Sequence, residues 1–139
     1  MHKIVLNLDI YSYQIDFIGN VNNAVYIQWM EIGRFKLLEA VGMPTYEIFK
    51  QGIVPVLVHT SITYKLPLYL GDHVQVELWL SELRKASAII KFCFYNNQQQ
   101  LVAEGTQKGL FVDRQTRRPR RLLPSERYLF LPYLEETKQ

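Results

Sequence analysis

The chain has 139 residues, 48% of them hydrophobic and 21% charged, with a formal net charge of +3. That size and balance suit one compact domain over residues 1–139 and exclude a second domain of ordinary size. No apolar run approaches the roughly 20 residues of a membrane span, Met1-His2-Lys3-Ile4 leads into a strand pattern instead of a signal peptide, and Cys93 is the sole cysteine, so the expectation is a cytoplasmic protein without disulfides.

The predicted elements are one strand, one long helix and then a run of strands. Ile4, Leu6, Leu8 and Ile10 alternate with Val5, Asn7, Asp9 and Tyr11, a period of two that marks a strand with one buried face. A turn containing Asp16 and Gly19 follows. From Asn23 to about Val41, Tyr26, Met30, Gly33, Leu37 and Ala40 recur at three- and four-residue steps, with Gln28, Glu31, Arg34 and Glu39 on the other face, which predicts an amphipathic helix. Gly33 costs that helix about 1 kcal/mol of propensity, a pattern that points to close approach of its backbone to a sheet. Gly42 and Pro44 stop the helix, and residues 45–50 form a short second turn ended by Gly52.

Residues 53–112 read as antiparallel sheet. Val56, Val58, Thr60, Ile62 and Tyr64 are predicted to share one face, Val74, Val76, Leu78 and Leu80 another, followed by Ala88, Ile90, Phe92 and Phe94 and by a last strand from Leu101 to Val112. Pro67 to Asp72, Arg84-Lys85 and Asn96 to Gln99 are the connecting turns. Residues 122–136 carry Leu129, Phe130, Leu131 and Tyr133 and are expected to pack on this subunit or a neighbour. The predicted class is α+β, an antiparallel sheet of about five strands with one long helix against it.

Asp16 is the acid delivered by this turn to the start of the helix. There a carboxylate lies beside unpaired backbone N–H groups and the positive end of the macrodipole, so a carbonyl could be held while the acid acts on it. An isolated Asp-x-x-Gly is more often a plain turn, and Asn22 or Asn23 can simply be the helix N-cap. The surrounding residues weigh against that plain reading. Asp16, Gly19, Val21, Asn22, Asn23, Tyr26, Trp29, Glu31 and Arg34 fill the pattern D-x-x-G-x-V-N-N-x-x-Y-x-x-W-x-E-x-x-R, and Ser61-Ile62-Thr63-Tyr64-Lys65-Leu66-Pro67 through Gly71-Asp72 supplies a second piece. On these residues the chain resembles the hotdog-fold thioesterases of the 4-hydroxybenzoyl-CoA thioesterase type. Its V-N-N-A-V-Y run, with Gly33-Arg34 and Leu38-Glu39, is also similar to the plastid acyl-lipid thioesterases that act on acyl-carrier proteins.

The resemblance implies a hotdog fold, its sheet wrapped around a central helix, and an acyl-thioester hydrolase acting on acyl-CoA or acyl-carrier protein. Asp16 would be its catalytic carboxylate, as nucleophile or general base, with the backbone N–H groups of Asn22 and Asn23 polarising the thioester carbonyl. Gly19, Tyr26, His59, Thr60, Ser61, Arg84, Lys85 and Ser87 are the candidate substrate contacts, with Arg84 and Lys85 placed at the basic turn that resembles the CoA-phosphate site of relatives. Arg114, Arg117, Arg118, Arg120 and Arg121 form a further cluster that could meet phosphates or a carrier protein. Unpaired sheet edges lead to the expectation of a homodimer, assembled into a tetramer, with residues near Val58 to Ser61 of one chain approaching the Asp16 turn of another.

Core packing is the default role for Tyr26 and Trp29, and Glu31 with Arg34 reads as an ordinary i, i+3 pair, although Glu31 is the second candidate for the acid. His2 and His73 have no evident partner. No pair of His, Cys or carboxylate groups has metal-ligand spacing, and no cofactor is expected beyond the CoA moiety of the substrate. The arginine cluster lacks the interleaved aromatics of a nucleic-acid surface. The alternatives are a non-catalytic acyl-CoA or acyl-carrier binding module and a hotdog dehydratase, which would need a His paired with the acid.

Overall fold

The alternating residues at the start of the chain form β1 (Ile4–Asp9), which lies at one edge of a five-stranded antiparallel sheet in the computed structural model, where residues 1–136 are described. The other strands are β2 (Ile53–Tyr64), β3 (His73–Leu83), β4 (Ser87–Tyr95) and β5 (Leu101–Asp113), in the spatial order β1-β3-β4-β5-β2. Three helices accompany them: α1 (Asn23–Ala40), α2 (Thr45–Lys50) and α3 (Pro124–Phe130). Because β1 and β2 occupy opposite edges, the segment between them has to cross the sheet, and α1 makes that crossing. The result is the α+β hotdog arrangement that the sequence predicts.

Helix α1 buries Val25, Tyr26, Trp29, Met30, Gly33, Leu37 and Leu38. Ala40, placed on the apolar face by periodicity, is exposed; the stripe turns instead through Leu38 to Val41. Two glycines let helix and sheet approach. A Cβ on Gly33 would sit 3.0 Å from Leu78 Cδ2 and 3.2 Å from Phe92 Cε1, whereas one on Gly105 would overlap the Ser61 carbonyl oxygen and lie 3.1 Å from Met30 Cε. The expected close approach at Gly33 is thus observed, and Gly105 supplies its counterpart on β5.

Strand β2 does not keep one face throughout. Its pairing with β5 shifts between Leu57 and His59, so Val58 is the extra residue of a β-bulge. Leu57 pairs with Gly109 and Thr60 with Gln107, and these partners share one face of β5. Val56 and Val58 are exposed, while Thr60 and Ile62 are half-buried. The predicted common face of Val56, Val58, Thr60, Ile62 and Tyr64 is therefore split at Val58.

The C-terminal segment packs on its own chain. Phe130 is 2% exposed and meets Phe111 edge-on at 5.8 Å between ring centres, and the Glu135 N–H donates to the Leu80 carbonyl at 2.7 Å. His73, expected to be unpartnered, has its Nδ1 2.9 Å from Asp9 Oδ1 across the β1–β3 pair. Among the described residues no helix is long and apolar enough to cross a membrane.

Candidate active site

The Asp16 turn is closed by its own backbone and by the acid. Asp16 N–H donates to the Asn20 carbonyl at 2.8 Å, Gly19 N–H donates to the Asp16 carbonyl at 3.1 Å, and Gly19 takes φ +90°, a conformation that glycine reaches without strain. One carboxylate oxygen, Oδ1, accepts from both Ile18 N–H and Asn20 N–H at 3.0 Å. The turn thus fixes the carboxylate through one oxygen and leaves Oδ2 without a protein donor among the described residues.

Asn22 caps α1: its Oδ1 accepts from Ala24 N–H at 2.9 Å, and its carbonyl accepts from Val25 N–H at 2.9 Å. Its own N–H donates to the Gln14 carbonyl at 2.8 Å. This corrects the expectation of two free donors: the Asn22 N–H is committed, and the Asn23 N–H is the one in the first turn with no partner among the described residues. An unpaired N–H at this pole of a helix is an electropositive point directed at whatever occupies the space outside.

That space is an open cleft of about 540 Å³, lined by Asp16, Phe17, Ile18, Asn20 to Asn23, Tyr26 and residues 64–67. Tyr64 and Lys65, at the end of β2, complete it. The Tyr64 hydroxyl donates to the Asn23 carbonyl at 3.1 Å, which ties the end of the edge strand to the start of the helix. Tyr26 is 2% exposed, edge-on to Tyr64 at 5.0 Å and to Phe94 at 5.4 Å. Burial, followed by the neighbouring Tyr64, pushes its hydroxyl pKa up to about 12, so Tyr26 stays neutral in the physiological range. Core packing and cleft lining are the same role for this side chain.

Of the predicted contacts, Asp16, Asn22, Asn23 and Tyr26 come together here, with Gly19 shaping the turn. His59 and Ser61 are exposed and share one face of β2, while Thr60 points to the other, where its Oγ1 accepts from Gln107 Nε2 at 3.3 Å. These three residues cannot line a single surface of one chain. Arg84 and Lys85 lie at the opposite end of the sheet, in an open groove of about 900 Å³ shared with Leu83, Ala86, Arg121, Leu122 and Arg127. Ser87 serves the turn through its carbonyl, which accepts from Arg84 N–H at 2.8 Å. Glu31 is paired with Arg34, as the i, i+3 spacing predicts.

Sequence reasoning did not single out Tyr64 or Lys65 as site residues. Tyr64 and Lys65 stand inside the quoted Ser61–Pro67 motif, but their meeting with the helix start depends on β2 being the far edge strand, which no local pattern records.

A family model for the Thioesterase-like superfamily matches residues 12–128. The chain belongs to that superfamily. Among relatives, it is 27% identical over 119 residues to YneP of Bacillus subtilis, whose name gives acyl-CoA thioesterase as a provisional assignment, covering 86% of each chain. It is also 27% identical over 132 residues to a chloroplastic acyl-acyl carrier protein thioesterase of Arabidopsis thaliana, covering 94% of this chain and 69% of the relative. In fold it is similar to a DHNA-CoA thioesterase from Staphylococcus aureus, with TM-score 0.87 at 19% identity over 95% of this chain and 91% of the other. Membership of the thioesterase-like superfamily covers both the Asp16 turn and the β2 residues that complete its cleft.

Proposed function

We propose that the protein hydrolyses acyl thioesters, releasing a free carboxylic acid and the thiol of coenzyme A or of an acyl-carrier protein. The observation that carries this is the pairing of an unencumbered carboxylate oxygen, Asp16 Oδ2, with an unpaired N–H, that of Asn23, on one cleft at a helix N-terminus. In the proposed reaction the thioester carbonyl oxygen accepts from Asn23 N–H. Asp16 then either takes a proton from an attacking water or attacks the carbonyl carbon itself. In the first route collapse of the tetrahedral intermediate breaks the C–S bond and Asp16 passes the water's proton to the leaving sulfur; in the second the C–S bond breaks to give a mixed anhydride and a thiolate, and the water that hydrolyses the anhydride supplies the thiolate's proton. The relatives' names support the substrate class.

The active unit is a two-fold dimer through β2. This strand is an edge, and two copies paired antiparallel bring the Ile53 end of one beside the Tyr64 end of the other. The Ile53 end adjoins the Arg84-Lys85 groove, because β5 runs between them, pairing Ile53 with Asp113 and Ser87 with Leu110. A dimer therefore supplies the basic groove of one protomer to the acid of the other, a contact that a single chain cannot make. Exposed Phe17 and Ile18 at the cleft lip support a protein partner there. The decisive experiment is thiol release from short, medium, long and aromatic acyl-CoAs and from an acyl-carrier protein, by wild type and Asp16→Asn. Hydrolysis by the wild type and at least a hundredfold loss in the variant are expected; unchanged turnover in the variant refutes the assignment of Asp16.

A further inference from the structure

Resting on the thioester-hydrolase proposal, we infer that the hairpin of residues 113–122, together with Lys85, is a docking surface for the acidic face of an acyl-carrier protein. The hairpin is a built element. Asp113 N–H donates to the Arg118 carbonyl and Arg117 N–H to the Asp113 carbonyl, both at 2.8 Å; the returning arm is fixed by Arg120 N–H to Phe111 and Leu122 N–H to Lys85, both at 2.7 Å. Asp113 Oδ1 accepts from Gln115 N–H at 2.9 Å and Thr116 N–H at 2.8 Å. The backbone bonds from Thr116 and Gln115 hold the Asp113 carboxyl below its ordinary pKa, so this internal clasp is charged at neutral pH. The arginines are displayed on a defined scaffold.

The cations divide into those used by the fold and those left over. Arg120 pairs with Glu126 at 2.7 Å, Arg84 pairs with Glu82 at 2.6 Å, Arg127 donates to the Leu83 and Arg84 carbonyls at 3.2 Å, and Arg114 lies over the Phe49 ring at 5.0 Å. Arg117, Arg118, Arg121 and Lys85 are exposed and have no acidic partner among the described residues. Arg117 also has φ +60°, where glycine or asparagine would be less strained, so the arginine is not explained by the turn's backbone.

Their spacing distinguishes the possible anions. Lys85 and Arg121 line the groove at the hairpin's base, whereas Arg117 and Arg118 sit in the turn beyond it. A nucleotide phosphate in the groove engages the first pair. An acidic protein face spanning base and tip engages all four, and it draws on the tip charges for steering and register. The distributed set fits the protein.

The test delivers one acyl group on coenzyme A and on an acyl-carrier protein to wild type and to two double variants, Arg117→Gly with Arg118→Ser and Lys85→Ala with Arg121→Ala. For the tip variant, kcat/KM on the acyl-carrier substrate should fall at least tenfold through KM, while acyl-CoA hydrolysis stays within twofold. The base variant should weaken the acyl-carrier substrate as well. Equal losses for both substrates in the tip variant, or no loss for the acyl-carrier substrate, overturn the inference. Anisotropy titration with labelled holo-acyl-carrier protein tests docking apart from turnover: salt-sensitive binding weakened at least tenfold in the tip variant is expected, and absent or unaltered binding overturns it. Docking without hydrolysis would refute the hydrolase proposal alone, and acyl-CoA hydrolysis without docking would refute this inference alone.

Discussion

Replacing Asp16 separates its two jobs, because asparagine and alanine remove different parts of it. Its Oδ1 closes the turn by accepting from Ile18 and Asn20, and its Oδ2 is the oxygen assigned to chemistry. Asparagine retains an amide oxygen that can take both turn bonds, so Asp16→Asn should melt within about 2 °C of wild type, a change of under about 0.5 kcal/mol. Alanine loses both bonds. At about 1 kcal/mol each, that is about 2 kcal/mol, or roughly 8 °C in melting temperature for a chain of this size. Both variants lose the proton acceptor or nucleophile and should fall at least a hundredfold in kcat, equivalent to about 2.7 kcal/mol of barrier. Calorimetry with a continuous thiol-release assay measures the two effects separately. Asp16→Asn at wild-type activity, or Asp16→Ala as stable as wild type, would show that the carboxylate does not hold the place argued here.

The two interfacial glycines should respond differently to alanine. At Gly105 the new methyl meets the Ser61 backbone and costs about 3 kcal/mol by denaturant unfolding; at Gly33 it meets movable side-chain ends and gains about 1 kcal/mol of helix propensity, so the net change stays within about 1 kcal/mol. Mixing Asp16→Asn protein with the Lys85→Ala, Arg121→Ala variant should give more acyl-CoA hydrolysis than either alone after subunit exchange, since hybrid dimers contain one intact composite site; no gain would refute the two-fold arrangement. Absorbance at 295 nm should show at least two of the nine tyrosines ionising only near pH 12, because Tyr26 and Tyr95 are both pushed up to about 12 chiefly by burial. Burial favours the neutral phenol in the folded state, so this contribution to stability is complete below the unfolded value of 10.0 and declines as pH rises towards about 12. Titration of all nine by pH 11 with the fold intact would contradict that packing.

Periodicity located α1 and the strands because each buries one face, and the Asp16 turn was visible because glycine, acid and cap residues are local. What stayed hidden was decided by partners distant in sequence. Whether the Asn22 N–H is free depends on Gln14 folding back to accept it, and nothing in V-N-N-A-V-Y carries that information. Arg84-Lys85 and Arg121 were separate basic stretches until Leu122 N–H joined the Lys85 carbonyl. Val58 misled for a different reason: the alternation on either side of it is regular, so an inserted residue leaves the apolar pattern intact while reversing which side it faces.

That single unpaired valine sets the phase of everything after it. Without it, the second half of the edge strand would be rotated half a turn, Thr60 and Ile62 would face away from the helix, and the Tyr64 ring would swing off the pocket it now walls. The shape of the cleft beside Asp16 is thereby encoded six residues upstream of the tyrosine that walls it.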